Sequence, residues 1–276
     1  MLVEDGKIGI PIYKVVIFSN GGIFMRHAIV TAGTKGLGRK VTEELLENGY
    51  SVTATYRSDH KKADELAQAF KKYENALQIL QIDVCNPGQL SDLVRSAYER
   101  FGRVDCLVNN AGPYIFERKK LMDYEIDEWN EMMRGNLDAV FHLLKDVLPI
   151  MRRQQFGRIV NYGFQGAQDA PGWIYRSAFA AAKSGLVSLT KSIAYEEAEH
   201  GITSNMVCPG NIIGKMKESN IMDSRKYNDE QTPVGRSGTG EDIARAVLFF
   251  CNDASDMITG TVMDITGGLD VINRHR

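Results

Sequence analysis

The sequence has no strong charge of either sign. Its 33 lysines and arginines against 35 aspartates and glutamates leave a formal net charge of −2. The basic footprint of a nucleic-acid-binding protein is therefore missing. Cysteine is scarce. Cys85, Cys106, Cys208 and Cys251 are scattered, with no Cys-x-x-Cys pair and no zinc spacing. That speaks against a disulfide framework or a metal cluster and fits reduced core residues of a cytoplasmic protein. No apolar run approaches the ~20 residues of a membrane-spanning helix. No nucleic-acid, membrane or metal partner is expected. No repeat or linker divides the chain. Its 276 residues suit one α/β domain of ordinary to large size, or at most two small ones, and a chain this long buries roughly three quarters of its unfolded surface.

Residues 1–24 stand apart. The run 8–18 is fairly apolar, but Glu4, Asp5, Lys7 and Lys14 lie in or near it and no small-residue cleavage site follows, so it makes a poor signal peptide. The fold pattern begins cleanly at Met25. Residues 1–24 are read as an upstream extension, which a misassigned start codon would explain, with a short extra β segment as the alternative. Residues 25–276 are read as one domain.

Within that domain, short β-rich apolar runs alternate with helical periodicity. Strands are expected at 27–31, 51–56, 77–84, 104–109, 158–162, 203–207 and 262–265. Leu37, Val41 and Leu45 recur at helical spacing, and Asn48-Gly49 closes that helix. Leu90, Leu93, Val94, Ala97 and Phe101 mark a second helix, and one long helix carries Trp129 through Leu148. Helices are also expected at 173–199 and 241–251. This alternation implies an α/β, Rossmann-type doubly wound sheet of about seven parallel strands, with helices on both faces. The one long irregular stretch, 211–238, is a candidate lid or a surface loop.

Thr31-Ala32-Gly33-Thr34-Lys35-Gly36-Leu37-Gly38 lies between the first strand and its helix. Glycines there allow a tight turn and close backbone approach to a pyrophosphate, and the helix start supplies free N–H groups. At the end of the second strand stands Tyr56-Arg57-Ser58. An acidic residue at that place grips a ribose 2′-hydroxyl, whereas an arginine suits a 2′-phosphate. With Lys35 as a second cation, the pair favours NADP(H) over NAD; two solvated surface cations are the plainer alternative.

Further segments resemble the short-chain dehydrogenase/reductase family, and within it the 3-oxoacyl-carrier-protein reductase type. They are Asn109-Asn110-Ala111-Gly112, Gly135-Asn136-Leu137, Gly157 through Asn161, Ala180 through Gly185 around Lys183, Cys208-Pro209-Gly210, Gly235-Arg236, Glu241 through Ala244, Ile258-Thr259-Gly260 and Gly267-Gly268. The resemblance covers residue 26 to about 270. It implies Asp83 and Val84 at the adenine, and Asn109, Ala111 and Gly112 along the cofactor. It puts Lys183 on the nicotinamide ribose and Pro209, Gly210 and Ile212 beside the nicotinamide. Asn136 would hold a helix kink and a water of the proton relay. A homodimer or homotetramer is implied in the same way.

The resemblance also exposes departures. The family pairs a serine with Tyr-x-x-x-Lys, where tyrosine protonates the substrate as hydride arrives and lysine assists. Here Phe179 stands four before Lys183, and Phe164 stands at the serine position. Ala32 takes the place of the motif's first glycine, which should strain the turn slightly. Gly214 replaces a threonine that often contacts the nicotinamide. Tyr175, Tyr162 and Tyr114 are candidate substitutes for the acid. Tyr175 is favoured because it precedes Phe179 by four residues and shares its face if the helix has already begun. His142 is read as a packing or surface residue. Phe164, Phe179 and Trp173 suggest a flat, apolar substrate pocket, with Gln165 and Asp169 as polar contacts or plain loop residues.

Two functions compete. The first is an NADP(H)-dependent oxidoreductase with an atypical proton donor, acting on an apolar or planar small molecule. The second is an inactive cofactor-binding or scaffold member that keeps Asn136 and Lys183 for architecture. The first is favoured, because a scaffold leaves Lys35 and Arg57 together unexplained.

Overall fold

The computed structural model describes residues 25–270 and 272 and, ahead of them, the backbone of Val16–Ile17 and Ile23–Phe24, which pair antiparallel. The rest of the expected extension lies outside the described residues.

Seven parallel strands form one sheet. They are β1 (His27–Val30), β2 (Ser51–Tyr56), β3 (Leu77–Gln81), β4 (Cys106–Asn109), β5 (Gly157–Tyr162), β6 (Ile202–Pro209) and β7 (Val262–Ile265), in the order β3-β2-β1-β4-β5-β6-β7. The alternation of side chains along each strand builds two cores. Ile29, Leu107 and Ile159 face one side. Ala28, Val30, Cys106, Val108 and Val160 face the other. Helices α1 (Gly36–Glu47) and α8 (Gly240–Cys251) cover the second side with Val41, Leu45, Ile243 and Val247. Helix α3 (Pro87–Phe101) covers the first side with Leu90, Leu93, Val94 and Ala97. Its start is written locally, since Asn86 accepts from the Gly88 and Gln89 amides and Pro87 needs no partner for its nitrogen.

Three helical expectations change. The long helix is two helices, α4 (Ile126–Met133) and α5 (Ala139–Gln154), joined by a π-helical turn at Arg134–Asp138. The helix expected at 173–199 is α6 (Ser177–Glu196). Its start is delayed because Tyr175 has φ +65° and Arg176 φ −134°, neither of them helical. Helix α2 (His60–Ala69), capped by Asp59, is an addition to the expected elements; only Ala63 and Leu66 are buried in it, too short a stripe to read as a period. The irregular stretch 211–238 includes the 3₁₀ turn Gly214–Glu218 and the short helix α7 (Ile221–Ser224).

The strand order reverses at β1. Connections from β1 and β4 leave toward opposite faces, which opens a crevice beyond their carboxyl ends, where open α/β sheets take their ligands.

Candidate active site

The β1–α1 turn forms the floor of the crevice. The Gly33 amide donates to the Thr55 carbonyl at 2.8 Å, and the Thr42 hydroxyl donates back to the Gly33 carbonyl at 2.9 Å. A Cβ on Gly33 would stand 2.8 Å from that hydroxyl, and one on Gly38 would stand 2.2 Å from the Ala32 carbonyl oxygen. Both contacts are prohibitive. Gly36 is required for a different reason, its φ of +60°. Ala32 holds φ +51° without being glycine, so the strain expected at this position is present in the backbone. Asn110 ties the turn down, donating through its side-chain amide to the Thr31 and Ala32 carbonyls. The Ala111 amide donates to the Thr31 hydroxyl at 2.9 Å.

This floor suits a pyrophosphate: closely approachable backbone at Gly33 and Gly38, and a helix N-terminus pointing in. The Gly36 amide there donates to a carboxylate oxygen of Glu218 at 2.8 Å. An anion thus already prefers the position, and it comes from the 211–238 stretch.

A cleft of about 230 Å³ continues from the turn, bounded by Ala32, Lys35, Arg57, Val84, Ala111, Gly112 and Pro113, among others. Lys35 and Arg57 are exposed at its rim. The Lys35 ammonium donates to Asp59 at 3.1 Å, and Arg57 lies 3.8 Å from Glu131. Hydrogen bonding from Lys35 holds the Asp59 carboxyl below the usual carboxylate range. Asp83 sits next to the cleft-lining Val84 and turns its carboxylate onto the Cys85 amide at 3.0 Å. Leu37 packs toward the α1–α8 core.

Asn109 and Asn136 stand deeper. Asn109 donates to Asn161 at 2.8 Å, Asn161 donates to Thr190 at 2.9 Å, and the side-chain Oδ1 of Asn109 is buried with no hydrogen-bond partner among the described residues. Asn136 lies within the π-helical turn. Its amide group donates to the Pro113 carbonyl at 2.9 Å and to Met132 one turn back at 3.1 Å. The side-chain Oδ1 of Asn136 is buried and has no hydrogen-bond partner among the described residues. It faces Gly112, where a Cβ would come within 2.3 Å of it. A buried acceptor of this kind calls for an ordered water or a ligand donor.

Lys183 is buried on α6, with its ammonium 5.7 Å from the centre of the Phe179 ring. Burial pulls its pKa down to about 8. Around it the structure gathers the aromatic residues. Phe164 and Trp173 have ring centres 5.2 Å apart, Phe179 lies 6.1 Å from Trp173 and 6.2 Å from Phe164, and Tyr114 meets Phe179 edge-on at 5.0 Å. Pro209 and Gly210 close this end of the sheet, the Gly210 amide donating to the Ile265 carbonyl at 2.9 Å. Ile212 is buried just beyond.

The three candidate tyrosines separate. Tyr162 belongs to the α1–α8 side of the sheet, away from Phe164; its buried hydroxyl has no hydrogen-bond partner among the described residues, and burial pushes its pKa up. Tyr175 precedes α6, so the shared helix face with Phe179 does not exist; its ring is 6.0 Å from the Arg118 guanidinium. Tyr114 alone has its ring against Phe179. Asn110, Thr42, Thr55, Glu218 and Arg176 belong to the site although the sequence pattern does not mark them individually. Of these, only Asn110 carries a signal, its place in Asn109-Asn110-Ala111-Gly112.

A doubly wound parallel sheet with a glycine floor at its switch point defines a dinucleotide-binding enzyme class. Within that class, the family model described as enoyl-(acyl carrier protein) reductase matches residues 31–270. YtkK of Bacillus subtilis, named provisionally as an oxidoreductase, is 60% identical over 253 residues, covering 91% of this chain and 99% of its own. The 3-oxoacyl-[acyl-carrier-protein] reductase FabG of Staphylococcus epidermidis is 34% identical, covering 88% of this chain and 98% of its own. A solved Bacillus thuringiensis structure, provisionally a 3-oxoacyl-reductase, superposes with a TM-score of 0.86 at 62% identity, over 91% of this chain and 100% of that one. The chain belongs to the short-chain dehydrogenase/reductase family, whose members are oxidoreductases that bind a nicotinamide cofactor.

Proposed function

We propose that this protein is an NADP(H)-dependent reductase of the 3-oxoacyl-carrier-protein reductase type, with an atypical proton donor. The observation that carries the cofactor assignment is the pair Lys35 and Arg57, exposed on the rim of the cleft that opens from the glycine floor. In this reading the two cations leave Asp59 and Glu131 to take a 2′-phosphate. Thr31, Gly33, Gly36, Leu37 and Gly38 cradle the pyrophosphate. Asp83 and Val84 border the adenine. Asn109, Ala111 and Gly112 run along the cofactor, and Pro209, Gly210 and Ile212 border the nicotinamide. Lys183 holds the nicotinamide ribose, and the free oxygen of Asn136 holds a relay water. The cofactor supplies the hydride; the chain orients the substrate against it and excludes water.

The substrate is a small molecule with an apolar or planar group that packs among Phe164, Trp173 and Phe179. The names of the FabG relatives are in keeping with an acyl chain. The working protein is a cytoplasmic homodimer or homotetramer built from residues 25–276, with residues 1–24 as an extension. The second reading, an inactive cofactor binder, is favoured by the phenyl rings at 164 and 179, where the family resemblance calls for hydroxyls.

Titration of the purified protein with NADPH and NADH, followed by nicotinamide fluorescence, tests the cofactor assignment. NADPH is expected to bind at least about 10-fold tighter, a difference of roughly 1.4 kcal/mol. Combining Lys35→Ala with Arg57→Ala should remove that preference and leave NADH binding nearly unchanged. Equal affinities in the native chain would contradict the assignment.

A further inference from the structure

We infer that Tyr114 is the proton donor of this site and that Arg176 positions it. The inference rests on the reductase reading proposed for the site. The position that the family resemblance reserves for the acid is occupied by Phe179, whose phenyl ring has no proton to give. The Tyr114 ring packs edge-on against that ring, centre to centre 5.0 Å, and Phe179 in turn lies 5.7 Å from the Lys183 ammonium. Tyr114 directly follows Pro113, which lines the cofactor cleft. The Tyr114 ring therefore stands between the cleft-lining Pro113 and the aromatic cluster, edge-on to the ring at the position that the family resemblance reserves for the acid.

Its environment is built for the role. The Arg176 Nε donates to the phenol oxygen at 2.5 Å. Three further bonds fix that guanidinium, to the backbone carbonyls of Glu117, Tyr175 and Phe116. Arg176 thus clamps the 114–117 segment to the start of α6 and keeps one N–H on the phenol. The same N–H stabilises the negative charge left on that oxygen once the proton has gone. Other hydroxyls nearby are engaged or sealed. Tyr124 donates to the Tyr175 carbonyl at 3.3 Å, and the Ser177 hydroxyl is sealed from solvent.

A bound reduced nicotinamide would supply a hydride, its own C–H bond breaking as the new C–H bond forms at the substrate carbon. The π-electron pair of the C=O or C=N bond moves onto the heteroatom, which takes the Tyr114 proton. The phenolate stays hydrogen-bonded to Arg176 and regains a proton from water.

Tyr114→Phe keeps the ring on Phe179 and removes only the hydroxyl. It should leave the thermal melt and NADPH affinity within error of the native protein, while kcat on the best ketone or imine substrate falls about 100-fold or more. Arg176→Met should lower kcat with KM nearly constant, and Arg176→Lys should recover part of the loss. Turnover of Tyr114→Phe at the native rate would overturn the assignment, as would loss of turnover in Tyr175→Phe with Tyr114→Phe still active. If Arg176→Lys were no better than Arg176→Met, and both melted lower, the positioning role of Arg176 would fall. If the native chain bound NADPH yet reduced nothing, the reductase reading itself would fail, and the donor with it.

Discussion

Lys183 places an ammonium group in a buried position of the site. A lysine in water keeps its proton to about 10.5, whereas the buried Lys183 gives it up at about 8. Between those values the unfolded chain binds more protons than the folded one, so stability rises with pH through that window. Below pH 8 the full cost of burying the charge is present. Lys183→Met should therefore stabilise the cofactor-free protein at pH 7 by on the order of 3 kcal/mol. Its advantage should shrink as pH climbs from about 8 to about 10.5. Chemical denaturation of both proteins across that range checks this; a constant difference would contradict it. Lys183 and Asn136 are legible in the sequence because they lie in short, distinctive segments. Arg176 is not, because a residue whose guanidinium reaches across to backbone carbonyls around residues 114–117 leaves no period or motif behind.

At the scale of elements, the β1–α1 turn combines three glycines of different necessity with one alanine out of place. Ala32 holds a left-handed φ of +51°, which costs a residue with a Cβ roughly 1–2 kcal/mol. Glycine relieves that strain but adds entropy to the unfolded chain. Ala32→Gly should stabilise the protein by about 0.5–1 kcal/mol, seen as a higher denaturation midpoint with an unchanged slope. A lower midpoint would show that the Cβ packs favourably enough to outweigh its backbone strain. The glycine spacing makes this turn readable from the sequence alone. The start of α6 is not readable in that way, because Trp173 and Tyr175 extend its apolar pattern backward while Tyr175 breaks the backbone at φ +65°. The break between α4 and α5 is likewise invisible to periodicity. The π-helical turn at Arg134–Asp138 inserts one residue and keeps both helices apolar on their inner faces.

For the whole molecule, the alternation of strand and helix carries most of the information. It sets the number of parallel strands. The reversal of order at β1 then fixes the crevice beside the glycine turn. Sequence periodicity does not say how the loops above the crevice meet. The contact of Tyr114 with Phe179 joins segments 65 residues apart, and the bond from Gly36 to Glu218 joins segments 182 apart. The molecule that results sets a glycine floor, with Ala32 as its one departure, beside an aromatic cluster that the Tyr114 ring joins. In the reductase reading this arrangement still reduces a substrate. Loss of NADPH absorbance, measured with the native protein against panels of ketones, enones and imines, should show turnover of at least one apolar or planar member, faster with NADPH than with NADH. Tight NADPH binding with no turnover in any panel would overturn the reductase reading.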